Sequence, residues 1–323
     1  MNKKVVIFYN QVSENAKDDE LDILDQVEVV NTALIELGYE IYKVALSLDL
    51  NTAVDKIKQI NPYFVFNLVE SINNSGELLY FAPALLNYLK IPYTGVHLDA
   101  MFITTNKLLT KKLLTNVEIS TPGWIELDKI ENINPDKRYI LKPNWEDGSL
   151  GLDEDCVFYG NDKEFISNLK NYNKRKFYIE EYIEGREFNI SVLGGQKEPE
   201  VMTPAEMKFN NYAEGKPKVM GYKSKWDENS FEYNNTERTF EIPAKDNELV
   251  KEIKDISARC WKEFGLIGYV RVDIRIDENN IPYVLEINSN PCISFSGGFY
   301  AAIINSGYKF TEVVQRIIKD AFD

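Results

Sequence analysis

Apolar and polar positions switch between two periods along the first hundred residues. Residues 4–9 form a short apolar run that reads as a buried strand. Residues 22–37 place Ile23, Val27, Val30, Leu34 and Leu37 at helical spacing, and Gly38 stands where a helix-ending glycine belongs. A second strand over 39–45, a helix over 52–60 stopped by Asn61-Pro62, a third strand over 63–67 and a helix over 78–89 repeat the pattern. This alternation predicts an α/β fold with a parallel sheet covered by helices. Tyr9-Asn-Gln-Val-Ser13 follows the first strand without the glycines of a dinucleotide fingerprint, which argues against NAD. Between residues 14 and 25, six acids (Glu14, Asp18, Asp19, Glu20, Asp22, Asp25) face one lysine, as in a solvated loop leading into a helix.

The pattern changes near residue 104, where a domain boundary is expected. A helix over 106–116 carries Lys107, Lys111 and Lys112 and is broken by Ser120-Thr-Pro-Gly123. A strand over 138–142 leads into Pro143-Asn-Trp-Glu-Asp-Gly-Ser-Leu-Gly151, where Gly148, Gly151 and the Ser149 hydroxyl suit a phosphate as well as they suit a hairpin turn. Residues 176–182 and 187–193 read as strands, and 248–264 as an amphipathic helix. Residues 210–235 are polar, aromatic and aperiodic, which marks a lid or a disordered loop. Residues 270–276, a turn at 277–280 and residues 284–288 read as a hairpin: Val270, Val272, Ile274, Ile276, Leu285 and Ile287 form the oily face. Arg271, Asp273, Arg275, Val284, Glu286 and Asn288 form the other face. A turn at 277–280 sets Arg271 opposite Glu286, leaving Asp273 and Glu286 as diagonal neighbours roughly 7–8 Å apart. Asp273, Glu286 and Asn288 offer only oxygens, a donor set for Mg²⁺; the same alternation is what any sheet with one wet face shows.

Composition narrows the classes. With 323 residues the chain can bury large cores in about two domains, and three separated cysteines (Cys156, Cys260, Cys292) indicate a reduced, intracellular protein without a zinc site. His97 is the one histidine, which excludes His-rich metal sites and reads as structural. A net charge of −14 argues against nucleic acid as the partner. No apolar run suits a signal peptide or a membrane span, so a soluble cytoplasmic protein without a membrane partner is expected.

Six motifs in order then resemble the ATP-grasp superfamily and, within it, the D-alanine–D-alanine ligases: Ile91-Pro-Tyr-Thr-Gly95; Asn106-Lys-Leu-Leu-Thr-Lys111; Leu141-Lys-Pro143 with Gly148-Ser-Leu-Gly151; Glu180-Glu-Tyr-Ile-Glu-Gly-Arg-Glu-Phe188; Tyr222-Lys-Ser-Lys-Trp226; and Arg271-Val-Asp273 with Glu286-Ile-Asn-Ser-Asn-Pro291. They span roughly residues 63 to 310. The resemblance implies an ATP-grasp fold, in which an N-terminal βαβ domain (1–104) precedes two α+β subdomains (105–183 and 184–323) that sandwich ATP. It implies that Lys107 and Lys142 contact ATP phosphates under the loop of Gly148, Ser149 and Gly151. Glu180 would accept from the adenine amino group, the backbone of Glu181, Tyr182 and Ile183 would meet the adenine edge, and Glu187 would bind the ribose. Lys225, on the lid, would reach the γ-phosphate. Asp273, Glu286 and Asn288 would hold two Mg²⁺ ions, for which Mn²⁺ can substitute, and Arg271 would stabilise an oxyanion.

The resemblance is weaker on the amino-acid side. The family's glycine-rich, Glu-containing loop after the first strand has only Glu14 as its counterpart. Asn67-Leu-Val-Glu70 and Gly76-Glu77-Leu78 replace the usual His-Gly and Gly-Glu-Asp-Gly, Trp226 replaces a tyrosine, and Asn290-Pro-Cys292 and Ser294-Phe-Ser-Gly-Gly298 differ. Glu14, Glu70, Glu77, Trp226, Ser296 and Gly297 are therefore the candidate substrate residues. The expected function is an ATP-dependent carboxylate–amine ligase working through an acyl phosphate, with substrates beyond D-alanine, including L-amino and hydroxy acids, left open. A small-molecule ATP-grasp kinase and a non-catalytic nucleotide binder stand beside it. A homodimer is what the family suggests.

Overall fold

The computed structural model of the chain describes residues 3–322 apart from Glu14, Asn15, Asp147, Gln196 and Lys197. Its first unit runs β1 (Lys4–Asn10), α1 (Asp18–Glu36), β2 (Glu40–Leu46), α2 (Leu50–Ile60), β3 (Phe64–Asn67) and α3 (Phe81–Leu89). The strands form a parallel sheet ordered β2–β1–β3. Side chains alternate across β1, so Val5 and Ile7 pack with Ile23, Val27 and Val30 of α1, while Val6 and Phe8 pack with α2 and α3. A strand buried on both faces reads as an unbroken apolar run, which is why β1 was legible. Gly38 takes φ +82° after α1, the left-handed conformation expected of a helix-ending glycine.

Two helices connect this unit to the rest: α4 (Leu98–Thr105) and α5 (Lys107–Asn116). The first was not expected, because Leu98, Met101, Phe102 and Ile103 ring it instead of forming a stripe. His97 precedes α4 and meets the Tyr93 ring edge-on at 6.3 Å. An antiparallel sheet then orders β4 (Trp124–Glu126), β7 (Phe177–Glu181), β5 (Arg138–Pro143) and β6 (Val157–Tyr159), with α6 (Lys163–Asn168) joining β6 to β7.

A larger antiparallel sheet contains β8 (Arg186–Leu193), β9 (Glu200–Val201), β10 (Ala205–Phe209), β11 (Thr236–Thr239), β12 (Tyr269–Ile276) and β13 (Pro282–Asn288), in the order β11–β10–β8–β12–β13 with β9 paired to β8. Helix α9 (Asn247–Glu263) covers its oily face through Leu249, Ile253 and Cys260. The last helices, α10 (Gly298–Asn305) and α11 (Phe310–Asp320), turn back to the first sheet, where Val313, Val314 and Ile317 pack with Val5, Ile7 and Ile23.

Two sequence expectations are corrected here. The hairpin register differs: the turn extends to Ile281, whose N–H bonds Asp277 Oδ1 at 2.8 Å, so that Ile276 pairs with Pro282. A bulge then leaves Leu285 without a ladder partner, Asp273 faces Glu286 directly, and Arg271 faces Asn288. The extra residue exchanges two faces: Val284 is buried with Ile287 in the core, while Leu285 turns to the polar side. Residues 210–235 are also not structureless. They hold α7 (Tyr222–Trp226) and α8 (Phe231–Asn235), elements too short to show periodicity, fixed by Ser230 Oγ accepting from Tyr233 N and by Asn234 Nδ2 donating to the carbonyls of Glu228 and Ser230.

Candidate active site

The two antiparallel sheets face each other across a cleft of about 880 Å³ that also reaches the loops after β1 and β3. Its floor is the polar face of the β12–β13 hairpin. Arg271 grips Asp273 with two hydrogen bonds, Nε to Oδ1 at 2.7 Å and Nη2 to Oδ2 at 2.8 Å, and Asn189 of β8 donates to Asp273 Oδ1 at 2.9 Å. Glu286 stands across the ladder, 3.3 Å from Lys107 Nζ. Burial raises the pKa of a carboxylate, yet Lys107, Lys142, Arg271 and Lys225 together hold Glu286 at about 2. Asn288 Oδ1 accepts from Asn290 N at 3.0 Å. Asp273, Glu286 and Asn288 thus share one face of oxygen donors, with Arg271 paired to Asp273 and Lys107 to Glu286; the cations keep the Glu286 carboxylate ionised, the form in which it can serve as a donor.

One wall is built on Glu180. Its carboxylate bridges Lys142 Nζ and Lys111 Nζ, each at 2.6 Å, and accepts from Tyr178 Oη at 3.2 Å. Lys111 is wholly buried: burial presses its ammonium down to about 8 against the pull of Glu180. Burial pushes the Glu180 carboxyl up, but the two lysines prevail and hold it below the usual range. The neighbouring Glu181, Tyr182, Ile183 and Glu187 line the cleft as well. Glu187 is paired with Arg275 Nη1, while Arg275 Nε donates to Ile183 O at 3.0 Å. Burial raises the Glu187 carboxyl against that pairing.

The loop of Gly148, Ser149 and Gly151 forms the roof together with the lid. All three residues have positive φ, and a Cβ on either glycine would meet open space. Ser149 Oγ donates to Met220 O, Trp226 Nε1 donates to Gly148 O at 3.2 Å, and Tyr222 N donates to Leu152 O at 2.8 Å. Lys225 on α7 points down onto the hairpin face; burial and then Arg271 keep its ammonium below the ordinary value, against the pull of Glu286, Asp273 and Glu187. Tyr222 Oη reaches Asp19 on α1 at 3.0 Å, tying the lid to the first unit.

At the end nearest α1, Asp22 receives Ser294 Oγ at 2.9 Å and Cys292 Sγ at 3.0 Å, and Gln26 bridges Asp22 and Glu70. Glu70, Trp226, Ser296 and Gly297 line the cleft, while Glu14 lies outside the described residues. Glu77 does not line it: Gly76 and Leu79 do, and on a one-turn helix those two share a face from which Glu77 is rotated away.

Sequence reading overlooked Asn189, Arg275, Leu285, Asp22, Lys111, Tyr222 and Arg238 as parts of the site. Arg275 could have been found, since it alternates with Arg271 and Asp273 on one face. Asn189 could not, because only the β8–β12 register sets it opposite Asp273.

Residues 130–319 match the family model described as D-ala D-ala ligase C-terminus. The chain is 29% identical over 300 residues to the D-alanine–D-alanine ligase of Thermotoga petrophila, covering 91% of each chain. It is 28% identical over 289 residues to D-alanine–D-alanine ligase A of Bacillus cereus, covering 87% of each. The fold matches the crystal structure of the Bacillus anthracis D-alanine–D-alanine ligase complexed with ATP, with a TM-score of 0.74, 23% identity and coverage of 99% and 97% of the two chains. With more than half of its length under that family model, the chain belongs to the D-alanine–D-alanine ligase family of ATP-grasp proteins.

Proposed function

We propose that this protein is an ATP-dependent ligase that joins a carboxylate to an amine through an acyl phosphate, with its own choice of amino-acid substrates. The observation that carries the reading is the arrangement of Arg271 and Lys225 over the Asp273–Glu286–Asn288 face, under a lid bonded to the phosphate-type loop.

A carboxylate is a poor electrophile until its oxygen takes the γ-phosphoryl group of ATP; an amine then attacks the acyl carbon and phosphate leaves. Lys107, Lys142 and Lys225, with the Gly148–Ser149–Gly151 loop, would bind the phosphates and neutralise the migrating group. Glu180, the Glu181–Ile183 segment and Glu187 would bind the nucleoside. Arg271 would stabilise the oxyanion formed when the amine adds. Asp273, Glu286 and Asn288 fit Mg²⁺ by their oxygen-only chemistry; two such ions, or Mn²⁺, would supply charge neutralisation on the phosphates. Tyr222 and Trp226 keep the lid down and exclude water, which would hydrolyse the acyl phosphate.

Small-molecule substrates suit a cleft of this size, and no helix among the described residues is long and apolar enough to cross a membrane. Cytoplasmic location, absence of nucleic-acid or membrane partners, a homodimer and a division at 104 and 183 complete the proposal. The test is phosphate release from Mg·ATP with single amino acids and with pairs. Release that requires an acid and an amine, with a product mass equal to their sum less water, is the expected result. A phosphorylated product from one substrate would identify a kinase instead.

A further inference from the structure

Three arginines line the cleft, and they are not equivalent. Arg271 holds Asp273 and Arg275 holds Glu187. Arg238, on β11 opposite Met207, holds no carboxylate: its Nε is enclosed and without a hydrogen-bond partner among the described residues. No ion pair of its Nη atoms is found among those residues either. The side chain is half-buried and its Nε is fully so, which means it has lost water there without gaining an acceptor. An arginine carries five N–H donors in a fixed fork and cannot escape by losing its proton, so an unpaired, half-buried guanidinium calls for an anion.

Its surroundings say where that anion sits. Nη2 lies 3.5 Å from the position a Cβ on Gly298 would take, at the start of α10, and the cap residue Gly297 supplies no side chain to the first amides of that helix. Arg271 lines the same cleft, and burial and then this like charge hold the Arg238 guanidinium below its ordinary value. The acids at this end of the cleft, Asp22 and Glu70, are engaged with Ser294, Cys292 and Gln26.

We propose that Arg238 is a specificity-determining residue that binds a carboxylate which the reaction leaves untouched, so that the ligase selects substrates bearing a free carboxylate beside the reacting group. The inference rests on the ligase reading for its place in the reaction. Such a carboxylate can come from the α-carboxyl of the amine-bearing substrate or from the side chain of a diacid. In either case it sits beside the Arg271 position and holds its substrate against the acyl carbon. Gly298 leaves the space beside Arg238 Nη2 free of a side chain, and a Cβ on Gly297 would meet the Cys292 and Ser294 carbonyls, so the backbone comes close to the guanidinium without covering it.

The experiment is calorimetric titration of the protein saturated with Mg·ADP, using D- and L-amino acids, their carboxamides, and aspartate and glutamate against asparagine and glutamine. Wild-type protein is expected to bind an acid at least tenfold more tightly than its amide, a difference of about 1.4 kcal/mol. Arg238→Gln is expected to abolish that ratio and Arg238→Lys to restore part of it, with Mg·ADP binding as the check that both variants are folded. A ratio between an amino acid and its carboxamide assigns the α-carboxyl; one between aspartate and asparagine assigns the side chain. Equal binding of acid and amide, no binding of either, or a ratio that survives in Arg238→Gln would each overturn the proposal. Phosphate release is measured separately: a binding ratio without any ATP-dependent ligation would defeat the ligase reading and leave the role of Arg238 standing.

Discussion

Replacing Glu180 by glutamine keeps its shape and removes one charge from a place where two cations depend on it. Its oxygens lie 2.6 Å from Lys111 and 2.6 Å from Lys142, and Lys111 has no exposed surface. Even with Glu180 in place, burial holds the Lys111 ammonium at about 8 against an ordinary 10.5, a cost of about 3 kcal/mol for keeping it charged. Without the carboxylate, a buried ammonium has lost its counter-ion, and breaking a pair in that way costs about 3–5 kcal/mol. For a chain of this size that is a fall of roughly 6 °C in melting temperature. The pH dependence has a definite sign. The folded protein releases the Lys111 proton near 8 while the unfolded chain keeps it to about 10.5, so stability gains from this group as pH rises through that window. In Glu180→Gln the folded-state value drops further and the window opens downward. The variant's deficit in urea unfolding is therefore largest at pH 6.5 and smaller at pH 9. A loss below about 1 kcal/mol at pH 6.5, or an equal loss at both, would refute the account of a buried lysine neutralised by Glu180.

Glu286→Gln is expected to lower turnover at least about tenfold, a loss of roughly 1.4 kcal/mol of transition-state stabilisation, in a protein that stays folded by circular dichroism; wild-type kinetics would remove Glu286 from the site. In Gly221→Ala the new Cβ would stand 2.4 Å from Asp153 Oδ1 and 2.7 Å from the Leu152 carbonyl, forcing the lid off the phosphate-type loop. KM for ATP should rise by more than kcat falls, and steady-state kinetics with both parameters intact would show that the lid does not need that fit. Tyr222→Phe deletes the bond to Asp19, worth about 1 kcal/mol, so limited proteolysis within 210–235 should quicken about fivefold. Unaltered cleavage would mean that the contact does not restrain the lid.

Periodicity carried the first unit, because β1 buries both faces and α1 keeps one apolar stripe ended by Gly38. It also located the hairpin whose polar face floors the cleft. It failed where one backbone irregularity changes the count: a strand pattern has a period of two, so the unpaired Leu285 exchanged the faces of Val284 and Leu285 and moved Asp273 from diagonal to direct opposition with Glu286. Lid helices of a single turn, and α4 with its apolar ring, leave no stripe to read. Within the site, residues joined by local motifs were visible, but Asn189, Asp22 and Arg238 enter through pairings between distant segments. Glu180 is an intermediate case: the motif identified it, and only the fold shows Lys111 and Lys142 closing on its carboxylate.

The return of α11 to the first sheet has a consequence for biosynthesis. Val5, Ile7 and Ile23 leave the ribosome well before Val313, Val314 and Ile317, which share their core. At ordinary elongation rates the nascent first unit therefore waits on the order of tens of seconds with part of one apolar face uncovered. During that interval the uncovered face is open to non-native association, and the packing of α11 is what ends the exposure.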